Sequence, residues 1–341
     1  DYNTKVDFLK YCFFLKSSNN FLKDKLGVSL GVRLDQDTFT SESSLLENAS
    51  PRLALSYILS KDNRWKLNFT LGRYFKIPTY TSLGFKNFYD QYVNKSSKYT
   101  RSDHLVSGIE FNSTPSSRFT FEAFYKIYDN YPVSVIDGVS LANKGADFEV
   151  LGNEAILTNG KGKAYGLEFL YQQKLSNNFY GIFSYTFFYS KFSGLDNKFL
   201  PSVWDNRHLL SFTGGYKLKK NWELSAKFRY NYKTPYAPVD LSSSAKAYPE
   251  IIFDYSQLGN YYLNDFGKLD IRIDKRWNYK TTSLNFYIDI ENILISNIPV
   301  PPEYGLERDD NGEVINPLNL TEVVSESSSS LIPSIGIVFD F

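Results

Sequence analysis

Hydrophobic and polar residues alternate along most of the chain with a period of two. In KLDIRIDKRW (268–277), apolar side chains at every second position are separated by charged ones, and TSLNFYIDIEN (282–292) repeats the pattern. Successive side chains of a β-strand point to opposite faces of the sheet. The period therefore predicts strands with one apolar and one polar face.

Thirteen strands are predicted in this way, and most reach the roughly 9 to 11 residues that a tilted strand needs to cross a bilayer. They lie at about 4–16, 24–36, 51–60, 64–76, 99–112, 117–129, 163–174, 178–192, 206–218, 221–234, 266–278, 281–294 and 332–341. The last of them, in IPSIGIVFDF, ends on Phe341 in phase with its apolar set, which suits the final strand of a membrane barrel.

The predicted connections alternate in length. The short polar turns are SSNN, KDNR, STPSS, LSNN, LKKN and WNYK, and the long segments between them are 37–50, 77–98, 130–162, 193–205, 235–265 and 295–331. Short turns at one end and long loops at the other are typical of outer-membrane barrels. The sequence thus predicts an all-β, transmembrane antiparallel β-barrel. A β-sandwich does not require this alternation, and the blade repeat that a propeller would show is not found.

Composition agrees with a membrane barrel. Aromatic residues make up 17% of the chain, with 28 Phe and 27 Tyr, although the mean hydropathy is negative. A barrel explains both facts, because its outside is apolar, its lumen is polar and aromatic girdles mark the two interfaces. The net charge of +1 and the absence of a basic run argue against nucleic acid as a partner.

The sequence shows neither a helical membrane anchor nor a cysteine-based site. No apolar run approaches the roughly 20 residues of a membrane-spanning helix, and the first residues do not have the pattern of a signal peptide. The sequence contains no Met, so we expect a mature fragment or a partial chain. A lone Cys12 excludes an intramolecular disulfide and a multi-cysteine metal site.

Three stretches carry a family resemblance: KGKAYGLEFLYQQKLSNNFYGIFSYTFFYSKF (161–192), PSVWDNRHLLSFTGGYKLKKNWELSAKFRY (201–230) and KLDIRIDKRWNYKTTSLNFYIDIENI (268–293). Together with SPRLALSYILSKDNRWKLNFTLGRYFKIPTYTSLGF (50–85), they resemble the C-terminal barrel region of TonB-dependent outer-membrane receptors, in particular Bacteroidota members with a carboxypeptidase-like extension. The resemblance covers nearly the whole chain. Each motif alone is only moderately specific, but their order and spacing together make a fairly strong signal.

The resemblance implies a barrel of twenty-two strands preceded by an N-terminal plug. Thirteen is an odd count, whereas single-chain bacterial barrels have even counts. A barrel that is not closed would leave two unpaired strand edges in lipid. We therefore expect residues 1–341 to be the C-terminal portion of the barrel, without the plug and about nine strands. The implied partners are outer-membrane lipids, the protein's own plug and remaining strands, TonB acting through the plug, and a surface lipoprotein.

The function implied by the resemblance is uptake of a scarce or bulky solute such as a siderophore, glycan or peptide. One alternative is a structural or assembly component of a larger outer-membrane complex with a receptor-like barrel. Another is a free-standing passive channel of 12 to 14 strands. Capture by external loops would use the aromatic side chains of Tyr80, Phe85, Tyr89, Tyr92, Tyr236 and Tyr255, and lumen-facing charges would be Lys126, Arg229 and Lys233. The competing interpretation is that these rings only pack the loops together.

Catalysis and cofactors are not expected. Two histidines, His104 and His208, are too few for a robust zinc site. Ser211 lies three residues beyond His208, on the opposite face of a strand, and ERDDNGEVI (307–315) does not match the ligand spacing of a calcium loop. The cluster Trp204, Asp205, Arg207 and His208 is predicted to be a structural rim, with Trp204 and His208 in the interface belt and Arg207 pointing inward.

Overall fold

A long antiparallel sheet dominates the computed structural model, which describes residues 3–145, 151–316, 319–323 and 329–341. Its main strands are β1 (Lys10–Phe21), β2 (Leu26–Asp37), β3 (Ala49–Ile58), β4 (Trp65–Lys76), β5 (Thr100–Thr114), β6 (Ser117–Ser134), β7 (Ile156–Ser176), β8 (Phe179–Ser193), β10 (His208–Lys217), β11 (Trp222–Asn231), β14 (Phe266–Asn278), β15 (Ser283–Glu291) and β18 (Ile332–Asp340). They follow one another in sheet order as they do in sequence, from β1 to β18.

This order confirms the predicted strand meander. A fourteenth strand, β9 (Phe199–Pro201), pairs only with β8. Two small hairpins lie in the connections, β12 (Pro235–Tyr236) with β13 (Tyr261–Tyr262) and β16 (Glu303–Leu306) with β17 (Leu320–Val323). The helices are short: α1 (Tyr80–Leu83), α2 (Leu141–Lys144), α3 (Leu241–Ala247), and 3-10 turns at Asn94–Ser96, Lys219–Asn221 and Tyr255–Gln257. No helix in the described ranges is long and apolar enough to cross a membrane.

Turns and long connections alternate as predicted. The turn between β7 and β8 consists of Asn177 and Asn178, which both have positive φ. This is the backbone of a two-residue hairpin turn whose twist matches its strands, and Asn tolerates it well. Hereafter the turn end is the end of the sheet that carries these tight turns, and the loop end is the opposite one.

The first hairpin differs from the prediction. SSNN was expected to be the turn, but it lies inside β1, where Asn19 pairs with Val28 and Asn20 with Gly27. The turn falls instead on residues 22–25, where Leu22, Lys23 and Asp24 have positive φ. Polar side chains mark a turn only when the backbone leaves the ladder there, and here strand pairing continues past them.

Two strands are longer than predicted at the loop end. The prediction ended β6 at residue 129 and began β7 at 163, whereas the strands have 18 and 21 residues. Only about 9 to 11 residues are needed to cross the bilayer. The extra residues therefore extend the ladder into the loop region and shorten the connection between the two strands to 135–155.

Strand register separates the side chains into two faces. Ile273 lies opposite Leu224 on β11 and Ile288 on β15, and Ile288 lies opposite Ile335 on β18. Arg272 pairs instead with Ser225 and Asp289. The strand period of two thus continues across neighbouring strands, and we call the two sides the apolar face and the polar face.

The polar face is held together by ion pairs and stacking. Arg272 bonds Asp274 through two nitrogens at 2.8 Å and lies 3.8 Å from the centre of the Tyr287 ring. That ring covers Gly336 on the next strand, where an added Cβ would come within 2.2 Å of it. Glycine at 336 therefore leaves the space that the ring of Tyr287 occupies, a known way to shield a strand glycine.

The structure divides into two compact units. One comprises Asp1–Asn112, Thr120–Phe169 and Phe187–Asp205 and contains a buried aromatic cluster at its loop end. The other comprises Ser113–Phe119, Leu170–Thr186 and Asn206–Phe341 and contains the strands β10, β11, β14, β15 and β18.

We expect Ile288→Arg to destabilise the protein by about 2–4 kcal/mol, because it places a charge at mid-strand on the apolar face, which a bilayer would contact. Urea unfolding of the full-length protein in lipid bilayers measures this. Thr213→Arg is the matched control on the polar face, and it should change stability little. Equal destabilisation by both substitutions would contradict the assignment of the two faces.

Candidate functional site

The aromatic side chains that the sequence predicts for solute capture lie in the connections at the loop end. The connection between β4 and β5 (77–99) folds back on a buried cluster of Phe39, Ile77, Leu83 and Tyr99. Short helix α1 begins at an N-cap, Thr79, whose hydroxyl accepts a hydrogen bond from the Ser82 N–H. A cap of this kind satisfies one of the free N–H groups at the start of the helix.

Two of the predicted capture residues help to hold this loop in place. The Tyr92 ring packs edge-on against Phe39, with centroids 5.1 Å apart, and its hydroxyl donates to the Lys5 carbonyl. Tyr80 meets Phe8 edge-on at 5.6 Å and remains 59% exposed. Tyr92 therefore packs the loop as the competing interpretation expected, while Tyr80 also offers a free surface.

The tip of the same connection is different. A Lys86–Asp90 ion pair of 2.8 Å and the Asn87 side chain, which accepts from the Tyr89 and Gln91 N–H groups, close a tight turn. Phe88 is 99% exposed and Tyr89 is 79% exposed, with ring centroids 5.8 Å apart. Phe85 lies half-buried at the base of this turn, where its carbonyl accepts from Val93.

One buried carboxylate organises the connection between β2 and β3. Asp37 accepts hydrogen bonds from the Phe39 and Thr40 N–H groups, each 2.7 Å long, and from the Tyr99 hydroxyl at 2.8 Å. Burial and this bond to Asp37 raise the pKa of Tyr99, so the phenol stays protonated and donates. No local sequence pattern reveals this pair, because its partners lie 62 positions apart.

Asn94 joins two long connections. Its amide nitrogen donates to the carbonyls of Ser82 and Glu154, each at 2.7 Å, and its amide oxygen accepts from the Ile156 N–H at 2.9 Å. Asn94 is buried, and a buried amide that lost these partners would cost about 1–3 kcal/mol. The bonds therefore fix the loop 77–99 against the start of β7.

A second buried network closes the connection between β6 and β7. The Lys144 ammonium lies 2.6 Å from both the Asp137 and Glu154 carboxylates. The Ser134 hydroxyl lies within hydrogen-bonding distance of both acids, and its single proton can be donated to one of them at a time. Burial lowers the pKa of Lys144, but the bonds to the two carboxylates outweigh it and raise the pKa above its usual value. A charged, fully partnered lysine is a structural clamp and a poor nucleophile.

The connection between β11 and β14 (232–265) holds the second aromatic group. Tyr236 meets Tyr261 edge-on at 6.1 Å, and Phe253 lies 6.1 Å from Tyr255. Part of the group's surface is open, since Tyr248, Phe253, Tyr261 and Tyr262 are all exposed. These rings pack in pairs and present faces to solvent, a combination that suits stacking on a ligand.

Helix α3 in this connection starts at Asp240. Its carboxylate accepts from the N–H and hydroxyl groups of Ser242 and Ser243. The Ser243 hydroxyl above all, then its N–H and the Ser242 hydroxyl, lower the pKa of Asp240 to about 2. The carboxylate therefore stays ionised at neutral pH and adds negative charge to the loop.

The three side chains predicted to be lumen-facing charges have different surroundings. Lys126 lies on the polar face of β6 with its ammonium 4.8 Å from the Phe124 ring. Arg229 on β11 lies between Ser211 and Lys268 on the neighbouring strands. Lys233 was predicted inside the strand, but β11 ends at Asn231 and the Lys233 ammonium lies 5.9 Å from the Tyr232 ring.

The residues predicted to form a structural rim differ in burial and in contacts. Asp205 is fully buried and its N–H donates to the Ser202 carbonyl, whereas Trp204 is exposed. His208 accepts or donates a 2.7 Å bond with the Tyr185 hydroxyl. Arg207 was expected to continue the strand and point inward, but β10 begins at His208 and Arg207 has a φ of 58°. A left-handed residue breaks the two-residue repeat, so parity does not assign its direction.

Reactive groups at the loop end are sparse. The described residues contain no group of three or more His, Cys, Asp and Glu that could hold a metal ion. His208 and Ser211 lie apart, since Ser211 bonds Ser184 at 2.7 Å. His104 does have a serine partner that sequence reasoning missed, Ser102, at 2.6 Å, and its ring is tilted against that of Tyr74 with centroids 4.7 Å apart. These contacts lie on the polar face and hold the side chains in place.

Comparison with known proteins identifies the family. Residues 1–293 match the family model described as "TonB dependent receptor-like, beta-barrel". No curated protein matches the sequence.

Solved structures share the fold. The pyoverdine outer membrane receptor FpvA from Pseudomonas aeruginosa PAO1, bound to pyoverdine, is 13% identical with a TM-score of 0.62, over 100% of this chain and 44% of that one. The outer membrane transporter YddB from Escherichia coli is 12% identical with a TM-score of 0.60, over 97% and 45%. The unliganded ferric citrate transporter FecA is 13% identical with a TM-score of 0.59, over 97% and 45%.

The chain thus spans less than half the length of each of these structures. They are transporters and receptors, not enzymes. The chain belongs to the TonB-dependent receptor-like β-barrel family of the bacterial outer membrane.

Proposed function

We propose that this chain forms the C-terminal part of the barrel of a TonB-dependent transporter that takes up a scarce or bulky solute. In this proposal residues 1–341 supply thirteen of twenty-two barrel strands, and a plug and about nine strands belong to the same protein. The observation that carries it is the match of the family model to residues 1–293. The barrel forms the wall, the long connections capture the solute, and TonB acts through the plug.

The charge of the long connections bears on the solute. The connection between β15 and β18 (292–331) carries a single cationic side chain, Arg308. Its carboxylates are Glu303, Glu307, Asp309, Asp310, Glu313, Glu322 and Glu326. The Glu313 N–H lowers the pKa of Asp309, which stays ionised at neutral pH. Anionic ligands approaching such a loop are repelled within the screening length of about 8 Å at physiological salt.

An uncharged or cationic solute therefore fits the connection 292–331 better than an anionic ferric complex does. The exposed rings of the loops 77–99 and 232–265 offer stacking faces for sugar rings or peptide side chains. FpvA binds pyoverdine and FecA transports ferric citrate, but at 13% identity the likeness shows the fold alone. We infer a glycan or a peptide as the solute class.

The remaining partners follow from the same proposal. The stretches 161–192, 201–230 and 268–293 resemble Bacteroidota receptors. In such receptors a surface lipoprotein would present the solute to the external loops. Outer-membrane lipids surround the barrel, and the plug and TonB lie on the lumen and periplasmic sides.

Uptake in cells that carry the full-length protein tests transport and solute class together. The probes are maltoheptaose, a cationic oligopeptide and ferric citrate, each in strains with and without functional TonB. We expect uptake of an uncharged or cationic probe that disappears without TonB. Uptake that does not need TonB would indicate a passive channel. Preferential, TonB-dependent uptake of ferric citrate would contradict the solute class inferred from loop charge but not the proposal of TonB-dependent transport.

We expect Phe88→Ala combined with Tyr89→Ala to weaken capture about tenfold, equivalent to about 1.4 kcal/mol. Both rings are exposed, so apart from their contact with each other they would lose only contacts with a bound solute. The measurement is the solute concentration at half-maximal uptake. Leu46→Ala combined with Ile136→Ala removes two equally exposed apolar side chains from other connections and should leave uptake unchanged. An unchanged double aromatic variant would show that the tip takes no part.

Substitutions at Arg207 distinguish a role in barrel assembly from a role in solute binding. Arg207→Ala should lower the amount of folded barrel in the outer membrane while the solute affinity of the surviving protein is kept. Arg207→Gly removes the same side chain, but glycine adopts the positive φ of this position at a cost about 1 kcal/mol or more lower than that of alanine. Heat-modified migration in gels measures the folded fraction. Weaker binding at a normal barrel level would overturn the structural role.

A further inference from the structure

Charged side chains occur where a barrel should be apolar. They lie on the apolar face of five consecutive strands, β4 to β8, and all of them are near the loop end. A charge on the lipid side is costly at mid-bilayer and tolerated near the interfaces. The depth and direction of these groups therefore indicate what they contact.

A ladder of three tyrosines shows both the depth and the direction of these charged groups. Tyr125 on β6 stacks with Tyr165 on β7 at 5.9 Å, and Tyr165 stacks with Tyr189 on β8 at 5.3 Å. Tyr125 shares its face with the exposed side chains of Phe121 and Ile127, so the ladder lies on the apolar face. Tyrosines on this face mark the membrane interface.

Three lysines follow the ladder towards the loop end. Strand β7 starts at the loop end, so Lys163 and Lys161 lie two and four residues beyond Tyr165. Strand β8 ends there, so Lys191 lies two residues beyond Tyr189. Even spacing keeps all three on the face of the ladder. The Lys163 ammonium lies 4.7 Å from the ring of Phe199 on β9.

Neighbouring charges on the same face are already paired. Arg73 on β4 bonds Asp103 on β5 at 2.6 Å, and Arg101 bonds both Asp103 and Asp129. Two guanidinium groups and two carboxylates compensate one another in this chain. Within the described ranges no carboxylate forms an ion pair with Lys161, Lys163 or Lys191. The patch as a whole thus has an excess of positive charge, located at the three lysines.

We propose that Lys161, Lys163 and Lys191 bind the phosphate groups of a phosphorylated glycolipid of the outer leaflet. The loop end of an outer-membrane barrel faces the cell exterior, so the lysines lie at the level of the outer headgroups. Lysine is a strong binder of phosphate as a point charge, and basic side chains beside the bilayer attract anionic headgroups. The ladder below them would lie against the first carbons of the acyl chains.

The turn end shows what an apolar-face lysine does without such a partner. The Lys275 ammonium lies 5.3 Å from the Trp222 ring and 5.5 Å from the Trp277 ring, and donates to the Lys220 carbonyl. It thus snorkels to the polar groups of its own chain. No comparable carbonyl bond of an ammonium group is found for the three loop-end lysines in the described part of the chain.

Lipid binding to the full-length protein, purified in detergent, tests the proposal. The probes are bisphosphorylated lipid A and the same lipid A with both phosphates removed, titrated and read by native mass spectrometry. We expect the phosphorylated lipid to bind about tenfold more tightly or better, and this preference to shrink as salt is raised. The comparison uses the unaltered protein, so it does not depend on how a variant folds.

The substitutions K161Q, K163Q and K191Q together should abolish the preference for the phosphorylated lipid. K219Q, K220Q and K280Q remove the same charge at the turn end and should keep it. Equal binding of the two lipids by the unaltered protein, or an unchanged preference in the loop-end variant, would overturn the proposal. Displacement of the lipid by millimolar inorganic phosphate would also do so, because it would indicate a site for free phosphate.

Discussion

Every backbone N–H and C=O group in the hydrocarbon core must find a partner within the protein, because lipid offers none. The antiparallel ladder meets this requirement between each pair of neighbouring strands from β1 to β18. Once the ladder is fixed, side-chain direction is fixed as well, since neighbours along a strand alternate between faces. The apolar row through Ile273, Ile288 and Ile335 and the ion pair of Arg272 with Asp274 are two results of the same constraint.

Above the membrane the constraint changes. The loops lie outside the main ladder, and buried polar groups hold several of them. Asp37, Asn94 and the clamp of Lys144 each gather partners from segments distant in sequence. This framework leaves Phe88 and Tyr89 exposed at a loop tip that is closed by the ion pair between Lys86 and Asp90. Rigid anchoring beneath a mobile or variable tip is how binding loops are commonly built.

The sequence predicted what period and composition can encode. Thirteen strands, their order, the alternation of connections and both faces of β14 and β15 follow from a repeat of two, and the structure confirms them. The position of the first turn was wrong because Ser18 and Asn19 are polar and yet paired in the ladder. The lengths of β6 and β7 were underestimated, since a ladder can continue beyond the bilayer.

Site chemistry was less predictable. The aromatic residues of the loops were identified from composition, but only the structure distinguishes packed Tyr92 from exposed Tyr89. The pairs Asp37 with Tyr99 and Ser102 with His104 depend on tertiary contact or exact orientation, which no local pattern records. The positive φ of Arg207 is likewise invisible to a parity rule.

The most direct test of the account is the accessibility of single cysteines along β14 in outer membranes. The native Cys12 is first replaced by Ser, and positions 269 to 274 are then changed one at a time to Cys in the full-length protein. The measured quantity is the rate of reaction with a water-soluble maleimide. The account predicts slow reaction at 269, 271 and 273 and fast reaction at 270, 272 and 274. Uniform reactivity, or the opposite phase, would contradict it.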